Sequence, residues 1–206
     1  MAIPLRATAL CYSYAGAEVL HGVDAELVAG RVTAIIGPNG AGKSTLIELM
    51  AGVRQPSSGS VERAGDVALV VQRPQIPATL PMTVRDTVAM GTWNRRRSRR
   101  SIAQAVDVAL ERVGMTGFAH RSIHALSGGQ RQRALIAQGI ARDAEILLLD
   151  EPAAGLDVAS RRRTREILAV EAACGRAIGW VTHDEEDVAA ADRIVHLAHG
   201  RRVATR

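Results

Sequence analysis

Lys43 is the only lysine in this 206-residue chain; every other basic residue apart from histidine is arginine. An ammonium group is a compact, mobile point charge that a forked guanidinium does not replace. Lys43 falls in Gly37-Pro38-Asn39-Gly40-Ala41-Gly42-Lys43-Ser44, with Thr45 behind it, a full match to G-x-x-x-x-G-K-[ST]. Glycines in such a stretch let successive backbone N–H groups turn toward one anion. A helix opening behind them adds its positive end. Lys43 then supplies the cation for β- and γ-phosphates, and the Ser44 hydroxyl is placed to ligate Mg²⁺. An ordinary Gly-rich turn would account for the glycines but not for the single lysine at this place.

Ile146-Leu147-Leu148-Leu149-Asp150-Glu151 carries the second chemical element. Four apolar residues bury a strand, and two carboxylates emerge at its C-terminal end, where open α/β sheets bind ligands. Asp150 is placed for the Mg²⁺ shell, and Glu151, one residue on, reaches a different atom, the attacking water. Alone, Asp-Glu after a strand reads as a solvated turn; with the phosphate loop it completes a nucleoside-triphosphate site. The two motifs do not separate a transport ATPase from a GTPase or a nucleotide kinase. The chain has no N/T-K-x-D guanine-reading motif, which disfavours a GTPase.

The elements that position these residues follow from hydrophobic periodicity. Residues 6–14 and 19–28 alternate and predict strands. Val32–Ile36 is a β-branched run ending in glycine, a buried strand, and Lys43–Ala51 is an apolar-periodic helix closed by Gly52. Residues 66–71 read as a strand, and prolines 74, 77 and 81 mark a loop. Stretches 83–91 and 101–114 read as helices that end in glycine. Ser127-Gly128-Gly129 precedes a long helix reaching about residue 142. Then come a strand at 146–149, a helix at 158–174, a strand at 176–182, a short helix at 184–191 and a last strand at 193–197. Strands alternating with helices imply a largely parallel α/β sheet. The helical run from about 82 to 142 breaks the alternation and predicts an inserted helical subdomain.

Leu126-Ser127-Gly128-Gly129-Gln130, followed by Arg131-Gln132-Arg133 and lying 20 residues before Asp150, resembles the signature of ATP-binding-cassette (ABC) ATPases. Gln72 is similar to the family's Q-loop glutamine and competes for that role with Gln75. Gly155-Leu156-Asp157 resembles the D-loop, His183 the switch histidine, and Tyr14 the aromatic that stacks on adenine. Ala153-Ala154 departs from the more usual Ser/Thr-containing segment before the D-loop. The resemblance covers essentially the whole chain. It implies a P-loop NTPase core with a mainly parallel sheet, an N-terminal antiparallel β subdomain and the helical subdomain, all in one domain spanning 1–206.

The resemblance further implies ATP and Mg²⁺ as cofactors, with Ser44, Gln72 and Asp150 around the metal. Glu151, His183 and Lys43 would be catalytic. Ser127, Gly128, Gly129 and Gln130 would close on the γ-phosphate of a second cassette, so that two ATPs are held in a head-to-tail dimer, here a homodimer. A transmembrane permease and an extracytoplasmic metal-binding protein are the implied partners. Residues 81–91 and 110–115 look like those of zinc, manganese and iron-chelate importers, and the 72–91 stretch should face the permease. No C-terminal regulatory domain is expected after the last strand.

Composition excludes other classes. Apolar residues make up 47% and charged residues 23%, and no apolar run nears the roughly 18–20 residues of a membrane span. Two cysteines cannot build a disulfide framework, and the N-terminus lacks a signal-peptide core. The expected place is the cytoplasmic face of the inner membrane. Five arginines in residues 95–100 read as a solvated loop; with no aromatics interleaved, nucleic acid is not an expected partner. The pairs His120/His124 and His196/His199 read as surface histidines.

Overall fold

The computed structural model describes residues 2–14, 16–71, 77, 79–93, 97–152 and 155–203. Two sheets share the work. β1 (Leu5–Tyr14), β2 (Ala17–Leu27) and β4 (Ser58–Arg63) form a three-stranded antiparallel sheet in the order β2-β1-β4. A six-stranded sheet runs β5-β6-β7-β3-β8-β9, built from β3 (Val32–Ile36), β5 (Val67–Val70), β6 (Ile146–Asp150), β7 (Ala177–Val181), β8 (Arg193–Ala198) and β9 (Arg201–Val203). All its pairings are parallel except β8 with β9. β3, β6 and β7 are buried almost throughout, as continuous β-branched and leucine runs in a covered parallel sheet require.

Alternate side chains of these strands enter two separate cores, because successive residues of a strand point to opposite faces. Ile146 and Leu148 of β6 pack with β1, β2 and α1 (Lys43–Ala51). Leu147 and Leu149 face the helical layer of α2 (Val84–Ala89), α3 (Arg99–Arg112), α4 (Gly128–Ala141) and α5 (Val158–Ala173). α6 (Glu185–Ala189) follows β7. α2, α3 and α4 pack mutually and follow one another in sequence between β5 and β6, with no strand among them.

Several boundaries differ from the sequence expectation. The 83–91 helix ends at Ala89 and tightens into a 3₁₀ turn over Met90–Thr92, so Gly91 does not terminate it. α3 starts at Arg99, earlier than expected, because Ser98 caps it by accepting the Ser101 N–H. The strand at 193–197 is not the last: His199 and Gly200, both at positive φ, make a two-residue turn into β9. β4 was also unassigned by periodicity. The expected loop at prolines 74, 77 and 81, the Gln72 and Gln75 candidates, Ala153-Ala154 and Arg95-Arg96 fall wholly or partly outside the described residues.

Candidate nucleotide site

β3 runs straight into the glycine-rich loop, and the loop opens α1. Gly42 takes a left-handed conformation (φ 96°, ψ 11°) at the helix N-cap. A Cβ there would lie 2.5 Å from Leu20 Cδ2, and one on Gly37 would lie 2.1 Å from the Leu197 carbonyl oxygen. Backbone closes the Gly37 position to any side chain, and the left-handed φ strains one at Gly42, while Gly40 (φ 78°) has open space around it. Ala41, Lys43 and Thr45 are buried; Pro38, Asn39, Gly40 and Ser44 are exposed. The loop is anchored on its inner side and presents its outer side to solvent. The Lys43 Nζ donates to the carbonyls of Gly37 (2.9 Å) and Pro38 (3.0 Å), so the ammonium is held across the loop mouth.

The Ser44 hydroxyl donates to Asp150 Oδ1 at 3.1 Å, joining the first turn of α1 to the end of β6. Burial pushes the Asp150 carboxyl above its usual range; the Ser44 hydroxyl pulls back, while the nearby Glu151 and Glu48 push further up. A divalent cation between Ser44 and Asp150 would offset that accumulated negative charge, so the donor set fits Mg²⁺. Glu151 follows at φ 45°, a left-handed backbone that non-glycine residues adopt rarely and at a cost. Glu151 and His183 line the same small cleft, together with Thr182 and Asp184. β6 and β7 are hydrogen-bonded neighbours, which is why carboxylate and imidazole meet at one sheet edge.

Tyr14 lies half-exposed near α1. Its ring packs edge-on against Tyr12, two residues back on the same strand (centroids 4.9 Å apart), and the Arg54 guanidinium stands 4.7 Å from its centre. Arg54 is itself ion-paired with Glu48. Neither Glu48 nor Arg54 was flagged in the sequence, since only the fold brings them to the aromatic pair.

Ser127 caps α4: its hydroxyl accepts the Gln130 N–H, and the Gln130 side chain accepts the Ser127 N–H, a reciprocal capping box. A Cβ on Gly129 would meet Ser160 Oγ at 2.1 Å, and one on Gly128 would sit 3.4 Å from Leu156. The signature segment thus rests on the start of α5. Asp157 caps that helix by accepting from the Ser160 N–H (2.8 Å) and hydroxyl (3.0 Å), which holds its carboxyl below the usual range. Ser127–Gln130 is therefore grouped with Asp157, whereas Lys43, Ser44, Asp150, Glu151 and His183 gather at the C-terminal edge of β3, β6 and β7.

The polar network under His183 joins residues that lie far apart in the chain and, beyond one helix cap, has no local sequence signal. Arg161 and Arg165 of α5 donate to Asp184 and Asp187, and Asp187 also accepts from the Thr182 hydroxyl. The readable trace was Asp184 before an acidic run, an N-cap signal. His124 bonds the Leu80 carbonyl, and no cluster of three or more His, Cys, Asp or Glu side chains suited to a metal ion occurs among the described residues.

Comparison with known proteins agrees with this geometry. The family described as ABC transporter matches residues 20–154. A manganese transport system ATP-binding protein of Listeria monocytogenes is 39% identical over 194 residues, covering 88% of this chain and 80% of that protein. An aliphatic sulfonates import ATP-binding protein of Pseudomonas syringae is also 39% identical, over 197 residues, covering 94% of this chain and 79% of that protein. Among solved structures, an ABC transporter assigned to the metal-chelate type, in an inward-facing conformation, superposes with a TM-score of 0.90 at 29% identity, covering 98% of this chain and 82% of that one. With a phosphate loop, a carboxylate pair and a capped signature helix in the order this family uses, the chain belongs to the ABC transporter family and is one of its ATPases.

Proposed function

We propose that the chain is the ATP-hydrolysing subunit of an importer for a transition-metal cation such as zinc or manganese. The observation that carries the cargo is the 39% identity to a manganese-system subunit over most of both chains. A second reading, import of an oxyanion, draws on the equal identity to the sulfonate-import subunit.

In this reading the loop from Gly37 to Thr45 cradles the phosphates, Lys43 compensates their charge, and Ser44, Asp150 and Gln72 hold Mg²⁺. The metal supplies charge neutralisation on the transferring phosphoryl group. Glu151 orients and polarises the attacking water, and His183 stabilises charge at the γ-phosphate. Tyr14 stacks on adenine. The capped helix end at Ser127-Gly128-Gly129, with Gln130 and Asp157, serves the nucleotide of a second, identical cassette. The whole of 1–206 acts as one domain, with 82–142 as its helical subdomain.

No described helix is long and apolar enough to cross a membrane. In the proposed reading hydrolysis is coupled through a separate permease on the cytoplasmic side, with an extracytoplasmic binding protein delivering the metal. The exposed side chains Leu80 and Trp93 bracket α2 and support 72–91 as the docking stretch. Reconstitution with the permease in liposomes tests the cargo. ATP-driven uptake of manganese or zinc is expected; uptake of sulfate or a sulfonate without metal uptake would replace the metal reading by the oxyanion one. Ser127→Arg is expected to leave ATP binding by the monomer intact and to abolish the ATP-induced dimer on size-exclusion chromatography.

A further inference from the structure

His183 is solvent-exposed, yet the backbone on both sides of it is clamped from below. The Thr182 hydroxyl donates to Asp187 Oδ2 at 2.8 Å and accepts the Asp184 N–H at 3.2 Å. Asp184 Oδ1 accepts the N–H groups of Glu186 (3.0 Å) and Asp187 (3.3 Å), which closes α6 onto the turn. α6 has five residues, too few to hold its shape without such contacts. Two arginines one turn apart on α5 complete the arrangement. Arg161 donates to Asp184 Oδ2 at 2.6 Å, and Arg165 donates to Asp187 Oδ1 at 2.8 Å and to Glu186 at 2.6 Å. Asp187 is fully buried, so its charge depends on the Arg165 guanidinium and the Thr182 hydroxyl.

We propose that Thr182, Asp187 and Arg165 are positioning residues that fix the backbone turn carrying His183, and so the reach of its imidazole, from the flank of α5. The proposal rests on the role given to His183 above. Apart from Arg165 to Glu186, every bond in the network ends within one residue of the imidazole or on the Asp187 carboxylate that holds that turn. The same α5 begins at Asp157 and carries Ser160, on which Gly129 packs. The signature helix and the imidazole therefore lean on one rigid element, and a shift of α5 displaces both together. A misplacement of about 1 Å at a reacting group costs on the order of 10²-fold in rate, so even partial release of the turn should be visible in turnover.

Thr182→Val keeps the side-chain volume and deletes the hydroxyl, and Thr182→Ser keeps the hydroxyl. In the full chain with Mg-ATP, Thr182→Val is expected to lower kcat about tenfold with the ATP Kd unchanged within about twofold, and Thr182→Ser to retain at least about half of kcat. Arg165→Lys, which keeps the charge but loses the fork, should show the same loss and serves if the valine variant does not fold. With ¹⁵N-histidine labelling, the His183 ring signals, identified by their loss in His183→Gln, should shift or broaden in Thr182→Val and stay in place in Thr182→Ser. Wild-type kcat in both Thr182→Val and Arg165→Lys overturns the proposal, as do unchanged His183 signals in Thr182→Val. If His183→Gln itself hydrolyses ATP normally, the role of His183 falls, while the ring signals still decide whether the network orients it.

Discussion

The two ends of the parallel sheet both carry positive charge, and only one is built to receive an anion. At the end where the strands start, a cleft between α3 and α4 of about 220 Å³ is lined by Arg97, Arg112 and Arg176, with Asp143 at its side. Arg112 and Arg176 each lie 3.0 Å from Glu171, which is wholly buried. Arg97 approaches the carbonyls of Ala141 and Arg142, at the negative end of α4. That charge is already matched inside the protein. At the opposite end a single ammonium rests on two carbonyls of its own loop, with exposed glycine backbone beside it. The basic cleft between α3 and α4 is closed on its own charges, and the loop at Lys43 is the end proposed to receive phosphate. What separates them is whether the cation is ion-paired to a buried carboxylate or hydrogen-bonded to backbone carbonyls.

The comparison can be broken by mutation. Glu151→Gln is expected to lower steady-state hydrolysis by about 10²–10³ while Mg-ATP binding persists, since the phosphate cradle is untouched; phosphate release and calorimetric titration give the two quantities. Glu171→Ala should do the reverse. It leaves two arginines without their buried partner, costing about 3 kcal/mol in urea unfolding, with ATP affinity unchanged. A weakened ATP affinity in that variant would show that the two ends are not independent. Lys43→Ala removes charge-assisted bonds to phosphate and should weaken ATP binding by about 2 kcal/mol, or some 30-fold. Arg97→Ala, at a helix C-terminus and near the surface, should cost only about 0.5 kcal/mol of stability and leave hydrolysis unchanged.

Much of the nucleotide end was legible because its signals are local. Val32–Ile36 and Lys43–Ala51 were read to the residue, since a buried β-branched run and a glycine-closed periodic helix are each self-contained. Ser127 as a cap was equally readable, with Gln130 three residues on. β4 escaped because its side chains are almost all exposed or half-exposed, so it carries no alternation; it is a strand only because β1 pairs with it. β9 escaped because its turn uses His199-Gly200 in place of the asparagine or aspartate that usually precedes glycine there. The Arg165–Asp187 contact spans 22 residues and two elements, and the Arg112–Glu171 contact spans 59. Such pairings depend on how helices cross the sheet, which no local spacing encodes.

The division of β6 between two cores has a consequence for how such a chain diversifies. Ile146 and Leu148 belong to the layer that seats α1, and Leu147 and Leu149 to the layer that seats α2 through α5. A lineage can therefore accumulate substitutions among the helices on one side while the other side stays packed, because the β-sheet stands between them as a stiff partition. Relatives named for manganese and for sulfonates diverge from this chain to the same degree. A partition of that kind lets a substitution on one face be absorbed without repacking the other.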